Sequence, residues 1–296
     1  MIQRLWNMPQ LLMVATTSFW AGNTILGRAF GDVMPPIALA FWRWTLASFI
    51  LLLIFHPALR RDWPEIKAHW KALVLLSFLG VGCYNTLVYV ALQETTTLNA
   101  LLVMSAMPAL IVFVSRLLFG DRPSGLQILG GVISTIGAGV IVLRGQLSIS
   151  LNPGDMIVML AALCWAFYTS CLRLRPKTVS AAGFVTFTFA LGPILLAPFY
   201  AWESLVIGRV VPFHDWQVLA VIGYVGIFPS ILAYFCFNRG VELMGAGRAG
   251  QYIHLLPLIG SALAIWLLGE ELKSYHLIGA VLIISGLIAA ERAKHT

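Results

Sequence analysis

AMPALIVFVSRLLFGDRPSGLQILGGVISTIGAG, residues 106–139, is answered half a chain later by LLPLIGSALAIWLLGEELKSYHLIGAVLIISGLI, residues 255–288. The two stretches align without a gap at a separation of 149 residues, setting Pro108 on Pro257, Leu118 on Leu267, Gly120 on Gly269, Gly130 on Gly279, Val132 on Val281 and Gly137 on Gly286. Each copy reads as an apolar helix with a proline near its start, a short Gly-acid turn, and a second apolar helix with glycines seven apart. A duplicated pair of hydrophobic helices is the sequence mark of an internally repeated membrane protein.

Composition agrees. Hydrophobic residues make up 59% of the chain and charged residues 10%, with a mean hydropathy of +0.88; a soluble domain carries roughly 25% charged residues. Windows of about 20 mostly apolar residues, the length of a helical span, fall at 10–29, 35–55, 70–92, 97–119, 125–143, 154–172, 180–200, 216–238, 248–268 and 274–291. The expected fold is therefore all-α and integral to the membrane, with ten transmembrane helices in two five-helix repeats, residues 1–147 and 148–296. The first span is not a signal peptide on this reading, because Trp20, Asn23 and Arg28 interrupt its apolar run and no A-x-A site follows.

Five spans is an odd number, so two similar halves must insert in opposite senses. The charges agree with that inversion. With the N-terminus inside, the inner ends hold Arg4, Arg60, Arg61, Lys67, Lys71, Arg116, Arg122, Arg173, Arg175, Lys177, Arg239, Arg248, Arg292 and Lys294. The outer ends keep Arg28, Arg144, Arg209 and Lys273, a strong positive-inside bias that predicts both termini inside. At matched positions Arg122 meets Glu271, and Val90 and Asn99 meet Arg239 and Arg248, so similar helices carry charges suited to opposite sides. The net charge of +7 thus reflects topology, not nucleic-acid binding. A weaker echo relates the first helices of the halves, with Trp20-Ala21 matching Trp165-Ala166 at a separation of 145.

These residues resemble a known family. Trp20-Ala21-Gly22-Asn23 in helix 1, Pro35-Pro36 followed by Arg43 in helix 2, Pro108 and Pro257, and the turns Gly120-Asp121 and Leu268-Gly269-Glu270-Glu271 look like the EamA-type drug/metabolite transporters. Within that superfamily the chain is most similar to the aromatic amino-acid exporter (YddG-like) branch. The resemblance covers almost the whole chain. It implies an inner-membrane exporter of amino acids and related metabolites working by alternating access.

In inverted-repeat transporters the substrate lies near the midplane, between the halves, beside interrupted helices. Proline inside a helix removes a donor and frees a carbonyl, so Pro108, Pro193, Pro229 and Pro257 are the expected kinks. The polar and aromatic residues near mid-span are the candidate lining: Trp20, Asn23, Tyr84, Asn85, Tyr89, Met104 and Ser105 in the first half, with Trp165, Tyr168, Thr169, Tyr234, Gln251 and His254 in the second. Flat aromatic walls with a few hydrogen-bonding groups suit small amphipathic molecules; the same residue types also serve as interhelical glue. Arg43 joins the set. It lies eight residues beyond Pro35, about 12 Å into a helix, where an arginine costs on the order of 3 kcal/mol on insertion scales and needs partners. Two roles stand open for it: holding a substrate carboxylate, or pinning helix 2 to backbone carbonyls.

Other features carry less. The four cysteines form no CxxC or Cys/His cluster, so no metal or disulfide is expected, and no cofactor. No mid-membrane acid offers a proton relay, and His254 is the one histidine deep inside a span. No HExxH, DxxD or GxSxG motif supports an intramembrane enzyme. Gly245-Ala-Gly247-Arg-Ala-Gly250 lacks a phosphate loop's Lys-Ser/Thr and reads as the tight lead-in to helix 9, and residues 56–71 as an amphipathic interfacial stretch. The partners implied are a small-molecule substrate and membrane lipid; a nucleotide-sugar carrier of the same superfamily and a passive channel are the competing readings.

Overall fold

The computed structural model describes residues 5–30, 33–95, 97–143, 153–268 and 271–292. Arg4, Arg144, Lys294 and the Gly269-Glu270 turn lie outside them. The described residues are helices joined by short connections: α1 (Pro9–Ala29), α2 (Pro36–Ala68), α3 (Trp70–Glu94), α4 (Asn99–Phe119), α5 (Gly125–Val142), α6 (Pro153–Leu174), α7 (Ala181–Leu205), α8 (Trp216–Met244), α9 (from Ala246 to Leu268) and α10 (Ser274–Glu291). Eight of these, all but α1 and α9, are long and apolar enough to cross a membrane. In the two others polar residues dilute the hydropathy: Thr16, Thr17, Ser18, Trp20 and Asn23 in α1, and Arg248, Gln251 and His254 in the first half of α9. Apolar side chains stand exposed around the bundle, Phe49, Leu53, Phe113, Leu117, Leu160, Ile194 and Val281 among them, as a surface in hydrocarbon requires.

One boundary differs by more than fraying. Helix 2 does not stop at residue 55; α2 runs 33 residues to Ala68 through Pro57 and Pro64, and takes up most of the expected interfacial stretch. Tertiary contacts outweigh the two lost backbone bonds. Asp62, buried on the extension, accepts from the backbone N–H and hydroxyl of Ser180 at the start of α7, at 2.9 and 2.5 Å. Thr178 donates to Glu65, Ile66 is buried, and Trp63 packs on Phe187. The opposite ends mirror this. Glu203, near the C-terminus of α7, accepts from the N–H groups of Ile37 and Ala38 at 3.2 and 2.6 Å. Each long helix therefore caps the positive N-terminal end of the other with a carboxylate, satisfying donors that a helix leaves orphaned.

The duplication appears in the element boundaries. α5 and α10 begin at 125 and 274 and end at 142 and 291, both 149 apart. Six-residue π-helical segments interrupt α3 at Phe78–Cys83 and α8 at Ile227–Leu232, again 149 apart. α2 and α7 begin at 36 and 181, the separation of 145 seen for the tryptophans. Packing repeats as well: α1 lies against α8 and α9, and α6 against α3 and α4, so the first helix of each half packs on the other half.

The two remaining equivalent pairs are antiparallel. Along α2 and α7, Ile37 and Ala38 face Glu203, Ser48 faces Phe189 and Asp62 faces Ser180. Along α5 and α10, Gly130 lies against Gly286 and Ala290, Ser134 donates to the Ile283 carbonyl at 3.3 Å, and Gly137 lies against Gly279 and Leu282. The glycines earn their place by steric necessity: a Cβ on Gly137 would come within 2.7 Å of the Leu282 Cβ and 2.8 Å of the Ile283 nitrogen. Gly139 faces open space and takes no part. These glycines thus bring α5 and α10 of one chain into close contact.

Gly137→Ala should lower the detergent-solubilised melting point by overpacking, a cost of about 1–3 kcal/mol, whereas Gly139→Ala should be neutral or gain about 0.5–1 kcal/mol from helix propensity. Equal melting points for the two variants would refute this view of the α5–α10 seam.

Candidate functional site

Where the halves meet, the backbone itself is irregular. Pro229 has no N–H for the Val225 carbonyl, and the chain widens into a π turn in which Ser230 Oγ donates to that carbonyl at 2.6 Å. The equivalent π turn in α3 holds Gly80 where α8 has Pro229. Both residues turn a carbonyl to the centre: Pro229 O accepts from Trp20 Nε1 at 3.1 Å, and Gly80 O accepts from the Tyr234 hydroxyl. α4 and α9 are broken at related places. α4 loses helical continuity at Ser105–Ala106, just before Pro108, and α9 tightens to a 3-10 turn at residues 252–254, just before Pro257. Pro193 behaves otherwise. α7 runs through it without a break, because the Phe189 carbonyl that it leaves free accepts from Ser48 Oγ of α2 at 2.6 Å.

Around these irregularities lies a cavity of about 80 Å³. It is lined by Trp20, Asn23, Arg43, Tyr84, Asn85, Val88, Tyr89, Leu101, Met104, Ser105, Ala138, Trp165, Tyr234, Ile253, His254, Leu256 and Pro257. Eleven of the fourteen candidate lining residues are thus brought together. The other three are placed behind the wall. Tyr168 packs its ring against Gly80 and Trp165 and donates to Asn238 Oδ1 at 2.8 Å. Thr169 is buried within α6, and Gln251 donates to the Gln127 carbonyl of α5 at 3.0 Å. Five lining residues went unmarked by sequence reasoning: Val88, Leu101, Ala138, Ile253 and Leu256. All are apolar and so looked like ordinary span. Ile253 alone had a usable signal, being the repeat partner of the selected Met104.

At the cavity, two contacts join equivalent residues directly. Asn85 Nδ2 donates to Tyr234 Oη at 3.4 Å, and His254 Nε2 lies 3.1 Å from the Ser105 carbonyl; both pairs are 149 residues apart. The carbonyl partner makes Nε2 the protonated nitrogen of His254, with Thr135 Oγ1 3.2 Å from the same atom. The walls are aromatic. Trp20 and Trp165 meet edge to face with centroids 5.2 Å apart, and Tyr84 and Tyr234 pack on Trp165 at 4.7 and 5.8 Å.

Arg43 supplies the only cation among the described lining residues. It is 1% exposed, and all its hydrogen-bond partners are neutral: Ser230 Oγ at 2.8 Å, Asn85 Oδ1 at 3.1 Å, Tyr89 Oη at 3.0 Å and the Pro229 carbonyl at 3.4 Å. Its guanidinium also lies 4.6 Å from the Trp44 ring centre. One side chain on α2 thus ties together α3 and the π turn of α8. Its charge is solvated by dipoles and a π face, with no carboxylate taking part.

The helical architecture and this central site are those of a membrane transporter fold, and comparison with known proteins agrees. The EamA-like transporter family matches the chain twice, at residues 7–143 and 152–290, and the chain belongs to that family. An uncharacterized transporter of Bacillus subtilis, YyaM, is 25% identical over 287 residues, covering 94% of this chain and 92% of its own. The uncharacterized inner membrane transporter YedA of Escherichia coli is 26% identical over 282 residues, covering 93% and 88%. A solved crystal structure superposes with a TM-score of 0.77 at 18% identity, covering 95% of this chain and 96% of that one, a likeness of fold. The protein is a multi-pass protein of the inner membrane.

Arg43→Ala would leave Asn85 Oδ1 and Tyr89 Oη without their donor and the Pro229 carbonyl with Trp20 alone, a loss on the order of 3 kcal/mol. A lower melting point and poorer folded yield are expected, with Arg43→Lys intermediate because one ammonium cannot span the same four acceptors. Wild-type yield and melting point in the Ala variant, with transport alone lost, would instead assign Arg43 to substrate.

Proposed function

We propose that this protein is a secondary carrier that exports amino acids and related small metabolites, with the central cavity as its substrate site and alternating access as its mechanism. The observation that carries the reading is the lining itself. Trp20, Trp165, Tyr84 and Tyr234 offer flat apolar walls to a side chain, Asn23 and Asn85 offer amide groups to ammonium and carboxylate groups, and Arg43 places a positive charge behind them. Such a set suits a small amphipathic solute. A nucleotide-sugar carrier would need several cations in the cavity, and the described lining residues include one.

The accompanying topology is ten spans in two inverted five-helix repeats, residues 1–147 and 148–296, with both termini inside. The antiparallel packing of α2 on α7 and of α5 on α10 supports it. Equivalent helices that run antiparallel are related by a two-fold axis perpendicular to them, and in a membrane such an axis inverts one half. The two family matches support the same division. α1 and α9 then complete the ten, their polar residues and breaks facing the cavity instead of lipid. At about 80 Å³ the cavity is below the roughly 300 Å³ where ligand pockets begin, so substrate entry widens it by moving the helices around it.

The test is a proteoliposome panel of radiolabelled aromatic, aliphatic, basic and acidic amino acids, with and without a pH gradient. Saturable uptake, strongest for aromatic and large aliphatic members and accelerated by unlabelled substrate inside, is expected. Linear flux without counterflow would make the protein a channel, and no flux for any member would defeat the amino-acid reading.

A further inference from the structure

α1, α8 and α9 pack as one group and α3, α4 and α6 as another, joined through Asn85–Tyr234, Tyr234–Gly80 O and His254–Ser105 O at the cavity and by one further bond beyond it. That bond runs from Tyr168 Oη on α6 to Asn238 Oδ1 on α8, 2.8 Å long and buried. It lies toward the end of the bundle that gathers Arg173, Arg175 and Arg239, where Arg175 also pairs with Glu242 at 3.3 Å. The repeat gives this bond a counterpart. Tyr168 is equivalent to Asn23 at the separation of 145, and Asn238 is equivalent to Tyr89 at the separation of 149. The same two side chains, Tyr and Asn, therefore recur with their positions exchanged, on α1 and α3, toward the opposite end.

In this structure the second pair is not made. Asn23 and Tyr89 both line the cavity, and the Tyr89 hydroxyl accepts from Arg43 instead. The backbone acceptors are asymmetric in the same sense. Trp20 donates to Pro229 O, but its equivalent Trp165, 1% exposed, leaves Nε1 without an acceptor, because the equivalent carbonyl, Gly80 O, is taken by Tyr234. A buried unpaired indole N–H is costly, and it is explained if the acceptor becomes free in another state.

We infer that Tyr168–Asn238 and Asn23–Tyr89 are alternative locks of one carrier: the first closes the basic, cytoplasmic end in the conformation described, the second closes the outer end in its counterpart. Passing between them exchanges the halves' roles, with Tyr234 releasing Gly80 O to Trp165 while Asn85, the equivalent of Tyr234, takes Pro229 O from Trp20. The inference rests on the alternating-access reading above.

Sided labelling tests it without a known substrate. In a background with Cys83, Cys164, Cys171 and Cys236 replaced by Ser, Met104→Cys in the cavity wall is probed with a membrane-impermeant maleimide in right-side-out and inside-out vesicles. Tyr168→Phe, which keeps the ring on Gly80, should raise the ratio of cytoplasmic to outer labelling about three- to ten-fold, the worth of one hydrogen bond. Adding Asn23→Ala should return the ratio toward the parent value, which loss of fold cannot do. No change with Tyr168→Phe, or no reversal by Asn23→Ala, overturns the pairing. Failure of counterflow with the labelling shifts intact would instead remove the carrier reading and leave a two-state gate.

Discussion

A backbone carbonyl without a donor is tolerable in water and costly in hydrocarbon, and the centre of this molecule is organised by carbonyls of that kind. Pro229 and Pro193 each remove a donor, and the π turns of α3 and α8 aim Gly80 O and Pro229 O inward. Each is answered by a side chain from another helix: Ser48 for Phe189 O, Tyr234 for Gly80 O, Trp20 and Arg43 for Pro229 O. Non-helical backbone at membrane depth is accepted only where protein or a cavity satisfies it. The breaks therefore require the polar residues, and the polar residues require burial. The cavity lies where these two needs coincide.

The surrounding scaffold is held together for a different reason. α5 and α10 approach through glycines with no room for a methyl group, and α2 and α7 trade terminal carboxylates with each other's N-terminal donors. Hydrophobic burial does not favour one helix contact over lipid, so close packing and interhelical hydrogen bonds must do so. These pairs are equivalent helices placed back to back and form fixed seams. The groups α1–α8–α9 and α3–α4–α6 meet instead across a cavity.

Much of this was legible because duplication prints itself in sequence. The separation of 149 that aligned Pro108 with Pro257 also separates the two π turns and the contacting pairs Asn85–Tyr234 and Ser105–His254. Residues conspicuous for polarity or an aromatic ring in an apolar span were found; Val88, Leu101 and Ala138 were not, since nothing in composition separates an apolar cavity wall from an apolar lipid face. Tyr168 and Gln251 were misplaced for the converse reason: a polar side chain deep in a span can serve the packing behind a site as well as the site. The extension of α2 through Pro57 and Pro64 was hidden because its support, the contacts of Asp62 and Glu65 with residues 178–180, is more than a hundred residues away. The first and ninth spans pose a related difficulty, for a helix that gives one face to a polar cavity loses the hydropathy by which spans are recognised.

Symmetry alone would make two exchanged conformations equal in energy, so whatever favours one must lie where the halves differ. Arg43 is the largest such difference. Its repeat equivalent is Thr188, whose hydroxyl bonds within its own helix to Phe184 O and Val185 O. Arg43 reaches Asn85 and Tyr89, members of the exchanging set, and holds both in the arrangement described. The Arg175–Glu242 pair is a second difference, because its equivalents are Phe30 and Gln93, which cannot form an ion pair. Both departures from the repeat strengthen the same conformation. Within the proposed cycle the duplicated residues create the two states, and the unduplicated charges set which of them is the resting one.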